Sequence, residues 1–179
     1  MKQELPQAVF LDRDGTIGER GRGRSLAPEQ FELYPFSARA IADLKSAGIK
    51  VFSFTNQPWI QQGETTYEEV ERQLLSFGFD RAYICPHGEG SGCSCRKPLP
   101  GMLTRASKEW KIDLKNCAVI GDSWRDMLAA DAVGAKKFLL KTGEGQRALL
   151  RLEEKYPKLS LDHVCEDLKE AAELILRAY

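Results

Sequence analysis

The chain has 179 residues, of which 42% are hydrophobic and 29% charged, with 26 Lys plus Arg balancing 26 Asp plus Glu. That length can bury a core without disulfides or a partner chain. No apolar run approaches the ~20 residues of a membrane span, and the balanced charge gives no global field to gather DNA or RNA. Residues 1–179 are therefore expected to form a single domain, monomeric and independent of membranes. Met1 to Pro6 lacks the apolar stretch of a signal peptide, and the expected location is cytoplasmic.

In chain order, Ala8 to Leu11 is a short apolar run ending at Asp12 and reads as a buried parallel strand. Gly18 to Arg24, rich in Gly and Arg, reads as a loop. Ser37 to Ala47 is helical and stopped by Gly48, and Ile49 to Phe54 returns as a strand that ends at Thr55. Thr66 to Phe77 is a helix opened by a Thr66/Glu69 capping box and closed by Gly78. A weaker strand at Ala82 to Cys85 precedes a helix at Gly101 to Trp110. Ala118 to Ile120 is a strand before Gly121-Asp122, followed by a helix from Trp124 to Val133, a weaker strand at Lys137 to Leu140, and helices at Gln146 to Lys155 and Asp167 to Ala178.

Five strands alternating with helices predict an α/β fold, a doubly wound, Rossmann-like parallel sheet. In such a sheet the ligand crevice lies beyond the carboxyl ends of the strands, where the strand order reverses. Asp12, Thr55 and Asp122 all stand at such ends. No insertion is long enough for a separate cap domain.

Asp12-Arg13-Asp14-Gly15-Thr16 places two carboxylates two residues apart just past a strand. One can attack phosphorus to form an aspartyl-phosphate, while the other protonates the leaving alcohol and then activates water. Carboxylate and phosphate repel, so a divalent cation must bridge them. Oxygen ligands from Asp12, the Asp14 backbone and Asp122 suit Mg²⁺. Alone, such a motif is also an ordinary acidic turn, and the other segments decide between the readings. Thr55-Asn56-Gln57 offers a hydroxyl and amides that can donate to phosphoryl oxygens. Lys97, within Arg96-Lys97-Pro98, supplies a cation for charge developing on the transferred group. Asp126, four residues after Asp122, can support that metal ligand from behind.

Cys85, His87, Cys93 and Cys95 lie within eleven residues and match a tetrahedral Cys₃His zinc site with no open position, hence a structural one. The alternative is free thiols beside an incidental histidine. Gly88, Gly90 and Gly92 let the 85–95 loop wrap a metal, and ordering it also places Arg96 and Lys97. Cys117 and Cys165 read as buried apolar fillers. His163, near the start of the last helix, reads as a surface or structural residue, and Trp110 and Trp124 are left open between packing and lining the crevice.

The four acidic, Thr-Asn, Lys-Pro and Gly-Asp segments, in this order, resemble the haloacid dehalogenase (HAD) superfamily of phosphatases over Ala8 to Gly143. The resemblance implies Asp12 as nucleophile, Asp14 as general acid/base, Thr55 and Lys97 as phosphoryl stabilisers, and Asp122 as the third metal ligand. Cys-Pro-His followed by Cys-x-Cys-Arg-Lys-Pro is similar to one cap-less branch, the D-glycero-D-manno-heptose 1,7-bisphosphate and histidinol-phosphate phosphatases. That branch implies a small phosphorylated metabolite as substrate and a substrate contact from Arg96.

The chain departs from the heptose pattern in four places, one of them a shorter stretch from Gly63 to Cys85. Gly18 to Arg24 replaces an Asn and a Gly-Tyr pair, Pro58-Trp59 replaces Ser-Gly, and the zinc loop has the compact length of the histidinol-phosphate enzymes. Arg20, Arg22 or Arg24 is a candidate contact for a distal phosphate, with a solvated loop as the alternative. Heptose bisphosphate is the first reading and histidinol phosphate the second. A polynucleotide 3′-phosphatase, which needs no zinc loop, and a non-catalytic binding module are the remaining alternatives.

Overall fold

The structure, a computed structural model, describes residues 4–19, 21 and 27–177. Arg20, Arg22 and Arg24 lie outside the described residues, as does Ala178 at the end of the last expected helix. Among the described residues six strands and six α-helices alternate. They are β1 (Ala8–Leu11), α1 (Ser37–Ser46), β2 (Lys50–Asn56), α2 (Tyr67–Ser76), β3 (Arg81–Cys85), α3 (Gly101–Trp110), β4 (Cys117–Gly121), α4 (Trp124–Asp131), β5 (Lys136–Leu140), α5 (Gly145–Lys155), β6 (His163–Cys165) and α6 (Leu168–Arg177). The sheet is parallel throughout, in the order β3-β2-β1-β4-β5-β6.

Successive strand residues face opposite sides of a sheet, and the core divides accordingly. Val9, Leu11, Val51, Ala118, Ile120, Phe138 and Leu140 pack beneath α1, α2 and α6, which contribute Ile41, Leu44, Val70, Leu74, Leu168 and Ile175. Ala8, Phe10, Phe52, Phe54, Val119 and Leu139 pack on the other face beneath α3, α4 and α5, with Leu103, Met127 and Leu152. Both faces are covered, which is why the strands read as continuous apolar runs.

The sixth strand corrects the expectation of five. His163-Val164-Cys165 pairs in register with the end of β5, His163 opposite Phe138 and Cys165 opposite Leu140. It is an edge strand with only Cys165 buried, so it carries no apolar run to announce it. His163 consequently lies in a strand rather than at a helix start, its ring stacked on Phe138 at 4.7 Å between centroids. Thr55 and Asn56 belong to β2 itself, and α4 stops at Asp131, two residues before the expected end.

Helix ends follow local chemistry. Thr66 Oγ1 accepts from Glu69 N while the Glu69 carboxylate accepts from Thr66 N, the expected capping box. A second box, Ser123 with Asp126, opens α4 and turns Asp126 inward. Cys117 and Cys165 are buried as apolar fillers. Trp110 packs on Phe52 and Trp124 stacks on Tyr156. No described helix is long and apolar enough to cross a membrane.

Candidate active site

The chain runs β1-β2-β3 in one direction across the sheet and then starts β4 on the other side of β1, so strand order reverses between β1 and β4. Leu11 pairs with Ile120 at this point and Asp12 N donates to Ile120 O at 3.1 Å. Asp12 and Asp122 therefore emerge side by side at the switch point, where open parallel sheets bind their ligands. Asp12, Asp14, Thr55, Gln57, Lys97, Asp122 and Asp126 are all buried here.

Lys97 is the hub. Its Nζ lies 2.9 Å from Asp12 Oδ1 and 2.6 Å from Asp126 Oδ1, and donates to Phe54 O at 2.9 Å. Burial works against the ammonium, but Asp12 and Asp126 outweigh it and hold its pKa above the ordinary value. Burial pushes the Asp126 carboxyl up to about 6, with Lys97 pulling it down and Asp12 adding to the rise. One ammonium between two carboxylates leaves an excess negative charge in a buried place, which favours a further cation nearby.

Asp12 Oδ1 also accepts from Arg13 N at 2.7 Å. Asp122 is clamped by Glu144 N on Oδ2 at 2.7 Å and approached by Thr16 Oγ1 at 3.5 Å. A Cβ on Gly15 or on Gly143 would come within 2.1 Å of Asp122 Oδ2, so this carboxylate occupies a cradle that only glycines leave open. Carboxylate oxygens of Asp12, Asp122 and Asp126 lie within 4.8 Å of one another. This hard-oxygen set fits Mg²⁺. Asp126 is engaged by Lys97 and Ser123 N and Asp12 by Lys97 and Arg13 N, and the Asp12 and Asp122 carboxylates could hold such an ion.

Asp14 stands opposite. Its Oδ1 accepts from Arg13 Nη1 at 2.8 Å and its Oδ2 from Gln57 Nε2 at 2.8 Å. Gln57 Nε2 also donates to Thr55 Oγ1 at 3.0 Å. Asn56 exchanges two hydrogen bonds with the Lys97 backbone, Nδ2 to O at 3.2 Å and Oδ1 from N at 3.0 Å. Both expected substrate amides thus have protein partners. Asn56 fixes the Lys97 turn, and Gln57 steadies Asp14 and Thr55.

Arg96 is half-buried beside the cluster. It donates from Nη1 to His87 O at 2.8 Å, and with Arg125 it approaches Glu89 Oε1, at 3.7 and 3.2 Å respectively. The four sequence-marked ligands of the loop converge. Cys85 Sγ lies 3.6 Å from His87 Nδ1, 3.8 Å from Cys93 Sγ and 3.3 Å from Cys95 Sγ, and His87 Nδ1 lies 3.3 Å from Cys95 Sγ. A tetrahedral ion with sulfur at about 2.3 Å and nitrogen at about 2.0 Å sets its ligand atoms roughly 3.5 to 3.8 Å apart, so the group could hold zinc. Burial raises the Cys85 and Cys95 thiols, while the Ser91 hydroxyl chiefly lowers Cys93 to about 6.

Two residues that sequence reasoning missed complete the site. Arg13 sits between the two marked carboxylates in the chain, and that flanking was the available signal. Gln73 on α2, which accepts from Arg13 Nε and Nη2 at 3.3 and 3.0 Å, left none.

The HAD-hydrolase-like family model matches residues 94–171. The D-glycero-beta-D-manno-heptose-1,7-bisphosphate 7-phosphatase of Bordetella bronchiseptica is 34% identical over 178 residues, covering 94% of this chain and 97% of that protein. The enzyme of the same name from Pseudomonas putida is 38% identical over 150 residues, 79% of this chain and 86% of its own. The crystal structure of D,D-heptose 1,7-bisphosphate phosphatase from B. bronchiseptica, complexed with magnesium and phosphate, superposes with a TM-score of 0.84 at 33% identity, covering 97% of this chain and 99% of that one. With near-complete coverage in both directions and a matching parallel sheet, the chain belongs to the HAD-type phosphoric monoester hydrolases, in the family of the D-glycero-D-manno-heptose-1,7-bisphosphate 7-phosphatases.

Proposed function

We propose that the chain, acting as one domain over residues 1–179, removes the 7-phosphate of a D-glycero-D-manno-heptose 1,7-bisphosphate through an aspartyl-phosphate on Asp12. The observation that carries the reading is the buried Asp12–Lys97–Asp126 triad beside Asp122 at the β1/β4 switch point, in a chain similar along its length to enzymes of that name.

Asp12 attacks phosphorus as the P–O bond to the sugar breaks, and Asp14 delivers its proton to the departing alkoxide. Asp14 then takes a proton from the water that attacks the aspartyl-phosphate, and inorganic phosphate leaves as Asp12 is regenerated. Lys97 and the Thr55 hydroxyl hold the equatorial oxygens, while Asp126 keeps Lys97 in place. Asp12, Asp122 and the Asp14 backbone would hold Mg²⁺, which when bound would supply positive charge against that of carboxylate and phosphate.

In the same reading Cys85, His87, Cys93 and Cys95 hold a structural Zn²⁺. With that ion bound, the four ligands would fix the loop that leads directly into Arg96, a substrate contact, and Lys97. Asn56 and Gln57 act at one remove, by orienting Lys97 and Asp14.

Phosphate release with Mg²⁺ across a panel tests the reading. The panel holds both anomers of heptose 1,7-bisphosphate, histidinol phosphate, other sugar phosphates and a 3′-phosphorylated oligonucleotide. A dominant kcat/KM for one heptose anomer is expected, and a preference for histidinol phosphate would overturn the substrate assignment while leaving the chemistry standing.

A further inference from the structure

Arg13 is wholly buried one residue from the proposed nucleophile. Its guanidinium lies 3.8 Å from the Phe31 ring centroid and donates in two directions, to Asp14 Oδ1 at 2.8 Å and, through Nε and Nη2, to Gln73 Oε1 at 3.3 and 3.0 Å. Gln73 in turn donates to Pro28 O, and it rides on α2, whose Val70 and Leu74 are locked in the core. A buried ion pair gains little net stability over a well-packed apolar pair of the same shape. What it does gain is geometry, because a planar guanidinium held at three edges leaves its carboxylate partner little room to turn.

We propose that Arg13 is a positioning residue for Asp14, an arm by which α2 and Phe31 hold the acid/base carboxyl at the angle the leaving oxygen requires. Gln57 grips the other carboxyl oxygen at 2.8 Å, so Asp14 is clamped between the turn after β2 on one side and α2, through Arg13, on the other. This rests on the phosphatase reading above and deepens it. Asp12 and Lys97 are held by other contacts, so losing the arm impairs proton delivery and leaves the attack on phosphorus intact.

That separation can be read from the leaving group. A sugar alkoxide needs the proton of Asp14, whereas the nitrophenolate of p-nitrophenyl phosphate departs without one, and kcat/KM reports the step in which that bond breaks. For Arg13→Met and Arg13→Lys, kcat/KM for heptose 1,7-bisphosphate is expected to fall about 10²-fold, while that for p-nitrophenyl phosphate changes by less than about threefold. Gln73→Leu, outside the acidic turn, should show the same selective loss to a smaller degree even if the Arg13 variants fold poorly. Gln73→Glu, which keeps an acceptor for Arg13 but gives up the donor to Pro28 O, should lose less of the heptose value than Gln73→Leu. If folded variants lose both esters equally, or lose neither, the inference is overturned and the phosphatase reading survives. A wild-type chain inert on both esters overturns the reading and the inference with it.

Discussion

The carboxylate crevice and the cysteine loop begin at neighbouring strand ends, yet they are built by different means. In the crevice each group is fixed by the sheet. Asp12 is tied to β4 through Ile120 O, Lys97 to β2 through Phe54 O, and Asp122 fits a cradle in which added methyl groups on Gly15 or Gly143 would come within 2.1 Å of it. Besides its ligands the cysteine loop has the contacts of Arg96 to His87 O and of Arg96 and Arg125 to Glu89. Gly90 and Gly92 adopt positive φ with nothing within 4 Å of an added Cβ, and Gly88 N is anchored by the exposed contact to Gln61 at 2.7 Å. Packing can preorganise a buried polar cluster at no further ordering cost, whereas a glycine-rich loop without a core needs a bound ion to offset its chain entropy.

The sharpest test of the crevice is Asp12→Asn. Phosphate release should fall about 10⁴-fold or more while the thermal unfolding midpoint stays near wild type; full activity in this variant would end the aspartyl-phosphate reading. Next in size is Lys97→Met, which leaves Asp12 and Asp126 buried without their cation. Urea unfolding should show a loss of about 3–5 kcal/mol, and an unaltered stability would mean that the triad is not what holds the crevice.

Gly15→Ala asks how tightly the cradle fits. Its φ of 86° and the 2.1 Å approach to Asp122 predict about 1–3 kcal/mol of destabilisation, together with a raised Mg²⁺ requirement measured by activity titration. Chelation of zinc should act first on the other region and reach the crevice only through it. Far-UV circular dichroism is expected to be preserved, limited proteolysis to open the chain between residues 86 and 95, and turnover to drop about tenfold as Arg96 and Lys97 lose their anchor. Undiminished turnover in a sample verified zinc-free would uncouple the loop from the crevice.

Much of the architecture was legible in local pattern. Ala8 to Leu11 and Ala118 to Ile120 are apolar because both faces of the sheet are covered, and Thr66, Gly48 and Gly78 mark helix ends by their own hydrogen-bonding and φ preferences. β6 was not legible, because an edge strand with two of its three residues exposed is held by its pairing to β5 rather than by an apolar run. In the site, the acidic turn and the Cys/His group could be read from spacing alone, since their members are close in the chain. The link from Arg13 to Gln73 could not, because sixty residues separate them.

By itself the sequence determined which chemical groups are present and which strand or loop carries each, because those signals are short-ranged. It named Asp12, Asp14, Lys97, Asp122 and the four loop ligands through residues that stand within a few positions of a strand end or of each other. Only the tertiary structure decided how those groups divide the work. It joined Asp126 to Lys97, assigned the Asn56 and Gln57 amides to protein partners, and linked Asp14 through Arg13 to α2. The physical reason is that a side chain's hydrogen bonds are set by what the strand order brings within about 3 Å of it, and strand order is a property of the whole sheet.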